Sequence, residues 1–253
     1  LAGIEAEPDV AARLDTEWKV GAHDELVQLA DNLWHVEGDL PNMALRRCMT
    51  VARTSTGELV LHSAIALDDA HMAELESLGR PAFLVVPNGW HCLDAARYVA
   101  RYPDLKVICP KKSRTMVEQK VQSVDGTYDD FASLDPEGTV RLEHFDPDRH
   151  VEGAMIVESR DGITLVFADS LFNLPHGKGF VWWLYGRVLQ STGGPRVTVI
   201  GRALMLFTRS KRGFRDFLDR WARSGDVVRL IPGHGAPILE GAGGVLRDLL
   251  RSL

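Results

Sequence analysis

The sequence predicts an α/β (α+β) protein built from two sheets packed face to face, with helices on the outside. Strand-like apolar runs recur in both halves of the chain, and helical spacing closes each half. Residues 82–121 read as strand, loop, helix, strand, helix, an order that implies parallel strands joined by crossover helices. A single doubly wound sheet is the rival arrangement. A glycine-rich dinucleotide loop would favour it, but Gly193-Gly194 lacks the G-x-G-x-x-G spacing.

Residues 1–22 read as a helical or loose lead-in, and 26–36 as strand, turn, strand with Asp31-Asn32 at the turn. Strands at 48–53 and 58–62 flank a turn at 54–57. Residues 68–78 have helical spacing, with Asp68 or Asp69 placed to cap it. A buried strand at 82–86 leads through Pro87-Asn88-Gly89 into a helix at 91–101, then a strand at 106–109 and a helix at 113–121. Strands follow at 140–145, 154–158 and 164–167, the last two joined by a hairpin turn at Asp161-Gly162. Residues 180–207, with Trp182, Trp183, Tyr185, Met205 and Phe207, are apolar and stay open between core, a lid over a cleft and a homodimer surface. A helix at 212–223, a strand at 227–231 and a closing helix at 245–250 complete the chain.

A chain of 253 residues with 45% hydrophobic and 25% charged content can bury a sizeable core, and one domain spanning 1–253 is expected. A net charge of -6 gives no argument for nucleic acid or an anionic membrane surface. Arg209, Lys211, Arg212 and Arg215 read as the polar face of a helix. The longest apolar stretches, 180–189 and 197–207, contain Arg187 and Arg202 and are too short to span a bilayer. Cys48, Cys92 and Cys109 are widely spaced and odd in number, so a reducing, cytoplasmic setting is expected. The acidic start, with Glu5, Glu7, Asp9, Asp15 and Glu17, does not read as a signal peptide.

Two segments put a metal-capable residue at the end of a strand. Ile163, Leu165, Val166 and Phe167 lead into Asp169, and Val227, Val228, Leu230 and Ile231 lead into His234. Gly233 and Gly235 flank His234, so backbone can approach closely there. Carboxylate and imidazole on strand ends suit a divalent metal.

From residue 26 onward, the order and setting of these segments resemble the metallo-β-lactamase superfamily, whose fold is a four-layer αββα sandwich with a metal site along one edge of its sheets. His150-Val-Glu-Gly-Ala154 is similar to the family's H-T-P-G-S segment, Asp169 to its strand-ending carboxylate, and His234 to the histidine of its G-H-G-like turn. The first motif departs. Where the family carries HxHxDH, this chain has Pro87-Asn-Gly-Trp-His-Cys-Leu-Asp94, and no register restores the motif. Leu59-Val-Leu-His62-Ser63 stands where the family has an aspartate after an early strand. The segment also resembles a branch of the superfamily in which P-N-x-x-H replaces the histidine-rich motif.

The resemblance implies a metal-dependent hydrolase with a reduced, mononuclear site. One Zn or Fe ion would be held by His91, His150, Asp169 and His234, with Asn88, Asp94 or Cys92 as additional site residues. Asp169 and His91 would be the catalytic pair, His91 either as ligand or as general acid/base. The alternative it implies is a metal-free, non-catalytic member whose cleft binds a small molecule or a protein partner. Each residue also has a plainer reading. Asp169 can cap a turn, His234 can bond backbone, His150 can sit in an exposed loop, and His91 can cap or pack. Asn88 suits a loop with positive φ as well as a substrate contact. The substrate stays open among thioester, lactone, β-lactam and phosphodiester.

Overall fold

The computed structural model describes residues 14–176 and 192–253. Strands β1 (Val27–Ala30), β2 (Leu33–Asp39), β3 (Arg46–Arg53), β4 (Glu58–His62), β5 (Arg80–Val85), β6 (Lys106–Cys109) and β7 (Gly126–Thr127) form one sheet in that spatial order. The first four run antiparallel, with short turns at 31–32 and 54–57 and a longer loop at 40–45. From β4 to β7 the pairing is parallel, because α1 (Asp69–Leu78), α2 (Ala95–Arg101) and α3 (Arg114–Glu118) lie in the crossovers. A second sheet orders β8 (Val140–His144), β9 (Gly153–Ser159), β10 (Gly162–Val166) and β13 (Val227–Ile231) as β13-β10-β9-β8. A small third sheet joins β11 (Phe172–Leu174), β12 (Gly194–Arg196) and β14 (His234–Gly235). Helices α4 (Val199–Phe207), α5 (Lys211–Ser224) and α6 (Ala242–Ser252) belong to the second half.

Side-chain alternation along the strands sorts the core into three layers. Trp34, Val36, Met49, Val51, Leu59 and Leu61 pack with Met72, Leu75 and Tyr98 of α1 and α2. Their sequence neighbours Leu33, Ala52, Val60, Val85 and Ile108 face the second sheet, meeting Met155, Val157, Val166 and Ile231. The outer face of that sheet, Ala154, Ile156, Leu165 and Leu230, is covered by Phe214, Phe217 and Leu218 of α5 and Leu246 and Leu249 of α6. The result is helix, sheet, sheet, helix, the predicted four layers.

Element boundaries differ from expectation where side chains take over from propensity. Asp68 caps α1 by accepting from the His71 N–H at 3.0 Å, as expected. The helix expected at 91–101 begins only at Ala95, because the Asn88 carboxamide oxygen holds the backbone N–H groups of Trp90 and His91 in a turn. The helix expected at 113–121 divides into a 3-10 turn at Lys111–Ser113 and the short α3. Strands β7, β11, β12 and β14, two or three residues each, carry no periodicity to read. Of the apolar segment 180–207, residues 180–191 lie outside the described residues, Trp182, Trp183 and Tyr185 among them. Its remainder supplies β12 and α4, where Met205 is buried and Leu206 and Phe207 are exposed. Among the described residues no helix is long and apolar enough to cross a membrane. Cys48, Cys92 and Cys109 are free and buried.

The glycines around His234 are needed for close approach. A Cβ on Gly233 would sit 2.5 Å from the Ala168 carbonyl, to which the Gly233 N–H donates at 3.1 Å. Gly235 has φ of +88°, and a Cβ there would run into the Asn173 carbonyl. Gly233→Ala is therefore expected to cost about 1–3 kcal/mol in urea denaturation, and Gly235→Ala at least as much, since left-handed strain of about 1–2 kcal/mol adds to the clash. Gly244→Ala, in the half-buried first turn of α6 but with open space where its Cβ would go, should instead stabilise, by about 0.5–1 kcal/mol.

Candidate metal centre

Strands β10 and β13 are parallel neighbours, with Val166 opposite Ile231, so the chain leaves both at the same edge. That register carries Asp169 and His234 to one place, and the loop after β5 brings His91 to meet them. Asp169 Oδ1 lies 3.2 Å from His91 Nε2 and 3.3 Å from His234 Nε2. The Asn88 amide donates to Asp169 Oδ2 at 2.9 Å. Donor atoms of His91, Asp169 and His234 all fall within 4.8 Å of one another.

Each imidazole is oriented through its far nitrogen. His234 Nδ1 donates to the Arg46 carbonyl at 2.6 Å. A carbonyl only accepts, so the Nδ1 carries a proton, and the Nε2 meets the cleft either as a donor to Asp169 in the charged ring or with its lone pair in the neutral one. His91 Nδ1 meets Ser63 Oγ at 2.6 Å. Ser63 has φ of +59°, an uncommon conformation for a residue other than glycine, held here at the end of β4. Beneath Asp169, the buried Glu152 carboxylate accepts from the Ala168 N–H at 2.9 Å and from the Ser170 N–H at 3.1 Å, shaping the turn that displays Asp169.

Charge sets the protonation pattern. Burial alone would raise the Asp169 carboxyl, but His91 and His234 outweigh it and hold the group well below the usual carboxylate range. Burial likewise opposes a charged His91, and the Asp169 carboxylate overcomes it, raising the imidazole above its ordinary value. Glu152 is pushed up to about 7 by burial and then by the Asp169 charge. His62, buried behind His91, is pushed down to about 3 by burial and then by the His91 charge.

Three residues of the expected set thus converge, and others do not. His150 stays out of this group. Its ring stacks on Phe214 and meets Phe145 edge-on in the core beneath α5, and its Nδ1 accepts from the Glu152 N–H at 3.1 Å. Burial pushes that imidazole down to about 4. Asp94 is fully buried and already bound by Arg47, Arg97 and the Ala66 N–H, so its oxygens are committed elsewhere. The Cys92 thiol donates to the Asn88 and Gly89 carbonyls. Asn88 touches Asp169 as a donor, and its φ is not positive. The sequence reading missed Glu152, which has no short-range pattern, and passed over Ser63. The signal for Ser63 was its place at the end of β4, where the family carries its early aspartate.

Two imidazoles and a carboxylate on one side of a cleft fit a single first-row divalent ion. The fit rests on the bare Nε2 of His234, which in the neutral ring faces a carboxylate oxygen that is also an acceptor. A cation between them resolves that contact, as does protonation of the ring. The same cleft, about 390 Å³, is walled by Leu40, Met43, Leu45, Trp90, Leu93 and Phe172.

Known structures bear on the architecture. No protein-family model matches the sequence, and no curated protein matches it at a significant level. Among solved structures, the DIM-1 metallo-β-lactamase superposes with a TM-score of 0.59 at 10% identity, covering 91% of this chain and 99% of that one. The chain adopts the metallo-β-lactamase fold. TMB-1 superposes at 0.56 with 8% identity over 92% of this chain and 98% of its own, and a metallo-β-lactamase from Hirschia baltica at 0.55 with 12% identity over 90% and 96%. At such identities the likeness concerns the fold alone. Within this metallo-β-lactamase fold the chain is a divergent member of the architecture, with a group of residues suited to a metal.

Two expectations follow for the network around the centre. Asp94→Ala leaves Arg47 buried beside no countercharge and Arg97 with only the exposed Asp15, and should destabilise by about 3–5 kcal/mol in chemical denaturation. Glu152 titrates near 7 when folded against an ordinary 4.5, so between those values the folded state holds the extra proton. Stability of the metal-free protein should therefore fall as pH rises through that window and level off above it. Glu152→Gln should flatten the profile by an amount on the order of 3 kcal/mol. Urea midpoints of both proteins at pH 5 and pH 8 measure the difference.

Proposed function

We propose that the chain is a metal-dependent hydrolase with a reduced, mononuclear site, in which His91, Asp169 and His234 hold the ion. The observation carrying this reading is the convergence of two Nε2 atoms on one Asp169 oxygen, each ring fixed from behind by Ser63 or by the Arg46 carbonyl. When bound, a divalent ion, Zn or Fe by its donor set, supplies Lewis-acid polarisation of a carbonyl or phosphoryl oxygen and makes water nucleophilic near neutral pH. The protein's own groups do the rest. Asn88 steadies the second Asp169 oxygen. Ser63 holds the His91 ring in place. The apolar wall, with Trp90 and Met43 more than half exposed on its rim, takes up a substrate with an apolar part and limits water. Arg47 also reaches the cleft, but its charge is largely matched by Asp94.

One observation favours the alternative of a metal-free binding protein. Asn88 and the two imidazoles lie within 3.3 Å of the Asp169 carboxylate, so protonated rings and the amide could satisfy it among themselves. Elemental analysis and hydrolysis of ester, thioester, lactone and phosphodiester probes separate the readings. Asp169→Ala and His234→Ala are each expected to lose one equivalent of bound metal relative to the wild type. Hydrolysis should fall at least 10²-fold, the scale of losing a Lewis-acid contribution of several kcal/mol. Folded variants with unchanged metal content would leave the binding-protein reading standing instead.

A further inference from the structure

A second group of ligating side chains lies on the other side of β3. His35 and Glu37 are two apart on β2, and Glu37 pairs directly with Cys48 of β3, so all three project from one face of the ribbon. It is the face turned toward the second sheet, near the rim where β14 crosses. His35 Nε2 lies 3.9 Å from Glu37 Oε1, and the donor atoms of His35, Glu37 and Cys48 fall within 4.8 Å of one another. Bonds of about 2.0 Å to imidazole and carboxylate and about 2.3 Å to thiolate put tetrahedral donors roughly 3.3–3.5 Å apart. Closing the observed set to that spacing takes about an ångström.

A second observation points to a ligand. The His35 side chain is only 6% exposed, yet neither of its ring nitrogens has a hydrogen-bond partner. Buried imidazoles are ordinarily paired, because leaving such a group unsatisfied costs about 1–3 kcal/mol. The charges nearby are compatible with a cation. Arg46 is neutralised by Asp24 and Asp39 and stands 3.7 Å from the other Glu37 oxygen, leaving Oε1 turned toward His35.

We propose that His35, Glu37 and Cys48 form a second metal site, for a Zn2+-like ion of borderline softness, separate from the His91–Asp169–His234 centre. The ion's two charges would be balanced by the Glu37 carboxylate and by the Cys48 thiolate, whose proton leaves to solvent on binding. Three protein ligands leave one coordination position over. The Cys48 N–H donates to the Gly233 carbonyl, and its thiol contacts the Gly235 carbonyl at 3.5 Å, so an ion here would brace β3 against the strand that carries His234.

Cobalt tests this, since only a thiolate ligand gives an intense near-ultraviolet charge-transfer band. The titration is done on metal-free Asp169→Asn protein, which removes the first centre and makes the outcome independent of the hydrolase reading. One equivalent of Co2+ is expected to produce the band. It should vanish in Asp169→Asn/Cys48→Ser, with Cys92 and Cys109 still present as internal controls. Glu37→Gln in the same background, at a partly exposed position that tolerates change, should weaken Co2+ binding at least tenfold and covers the case that Cys48→Ser does not fold. No band in Asp169→Asn, a band surviving Cys48→Ser, or Glu37→Gln binding as tightly as its parent overturns the site.

Discussion

A carboxylate partly withdrawn from water beside two imidazoles is the constraint on which the cleft depends. Shielding the Asp169 charge is unfavourable unless it is compensated, although a third of the side chain still meets solvent. The compensation comes from parts of the chain far apart in sequence: Asn88 and His91 after β5, and His234 after β13. The register of β10 on β13 and the position of β5 in the other sheet must therefore agree to within a hydrogen bond's length. Glu152 adds to the cost, being a second carboxylate buried below Asp169. It is retained because only an acceptor can satisfy the N–H groups of Ala168 and Ser170 in the turn.

The start of β3 is where the two halves are tied. Three consecutive residues there do different work. The Arg46 carbonyl fixes the tautomer of His234, the Arg47 guanidinium joins Asp94 at the start of α2, and the Cys48 N–H donates to Gly233. Asp94 in turn binds Arg97 and the Ala66 N–H, so the turn carrying His91 is anchored at its far end to the strand that orients His234. Positions of both imidazoles are thus coupled through one strand end. A backbone carbonyl does this without any sequence signature, since every residue has one.

That explains which parts of the site could be read beforehand. Asp169 and His234 stand out because each ends an apolar run, and glycine on both sides of His234 marks a close backbone approach. The layers follow from alternation that is regular over β2 to β5 and β8 to β10. His150 misled because its local resemblance to H-T-P-G-S says nothing about which way the ring turns. Phe145 and Phe214 offer it an aromatic slot in the core, and the neutral ring is stable there. The late start of α2 was hidden for a similar reason: a side-chain oxygen, that of Asn88, competes with the helix for the first N–H groups. Strands as short as β14 are set by what lies beside them, so the residues themselves give no period.

The geometry also bears on how many ions the cleft could hold. Aligned without gaps, this chain has Asn88, Trp90 and Leu93 at the positions of the three histidines of HxHxDH, and Cys92 at that of its aspartate. The Asn88 amide faces Asp169 as a donor, Trp90 is 60% exposed on the rim, and the Cys92 thiol is turned onto the Asn88 and Gly89 carbonyls. None of these presents a lone pair to the cleft. The remaining ring nitrogens converge on a single oxygen, Asp169 Oδ1, while Oδ2 is taken by the amide. Two ions sharing a carboxylate need ligands fanned out on both of its oxygens, and here one side is occupied by an N–H. In the reduced site proposed above, Asn88 therefore leaves one Asp169 oxygen, Oδ1, for an ion.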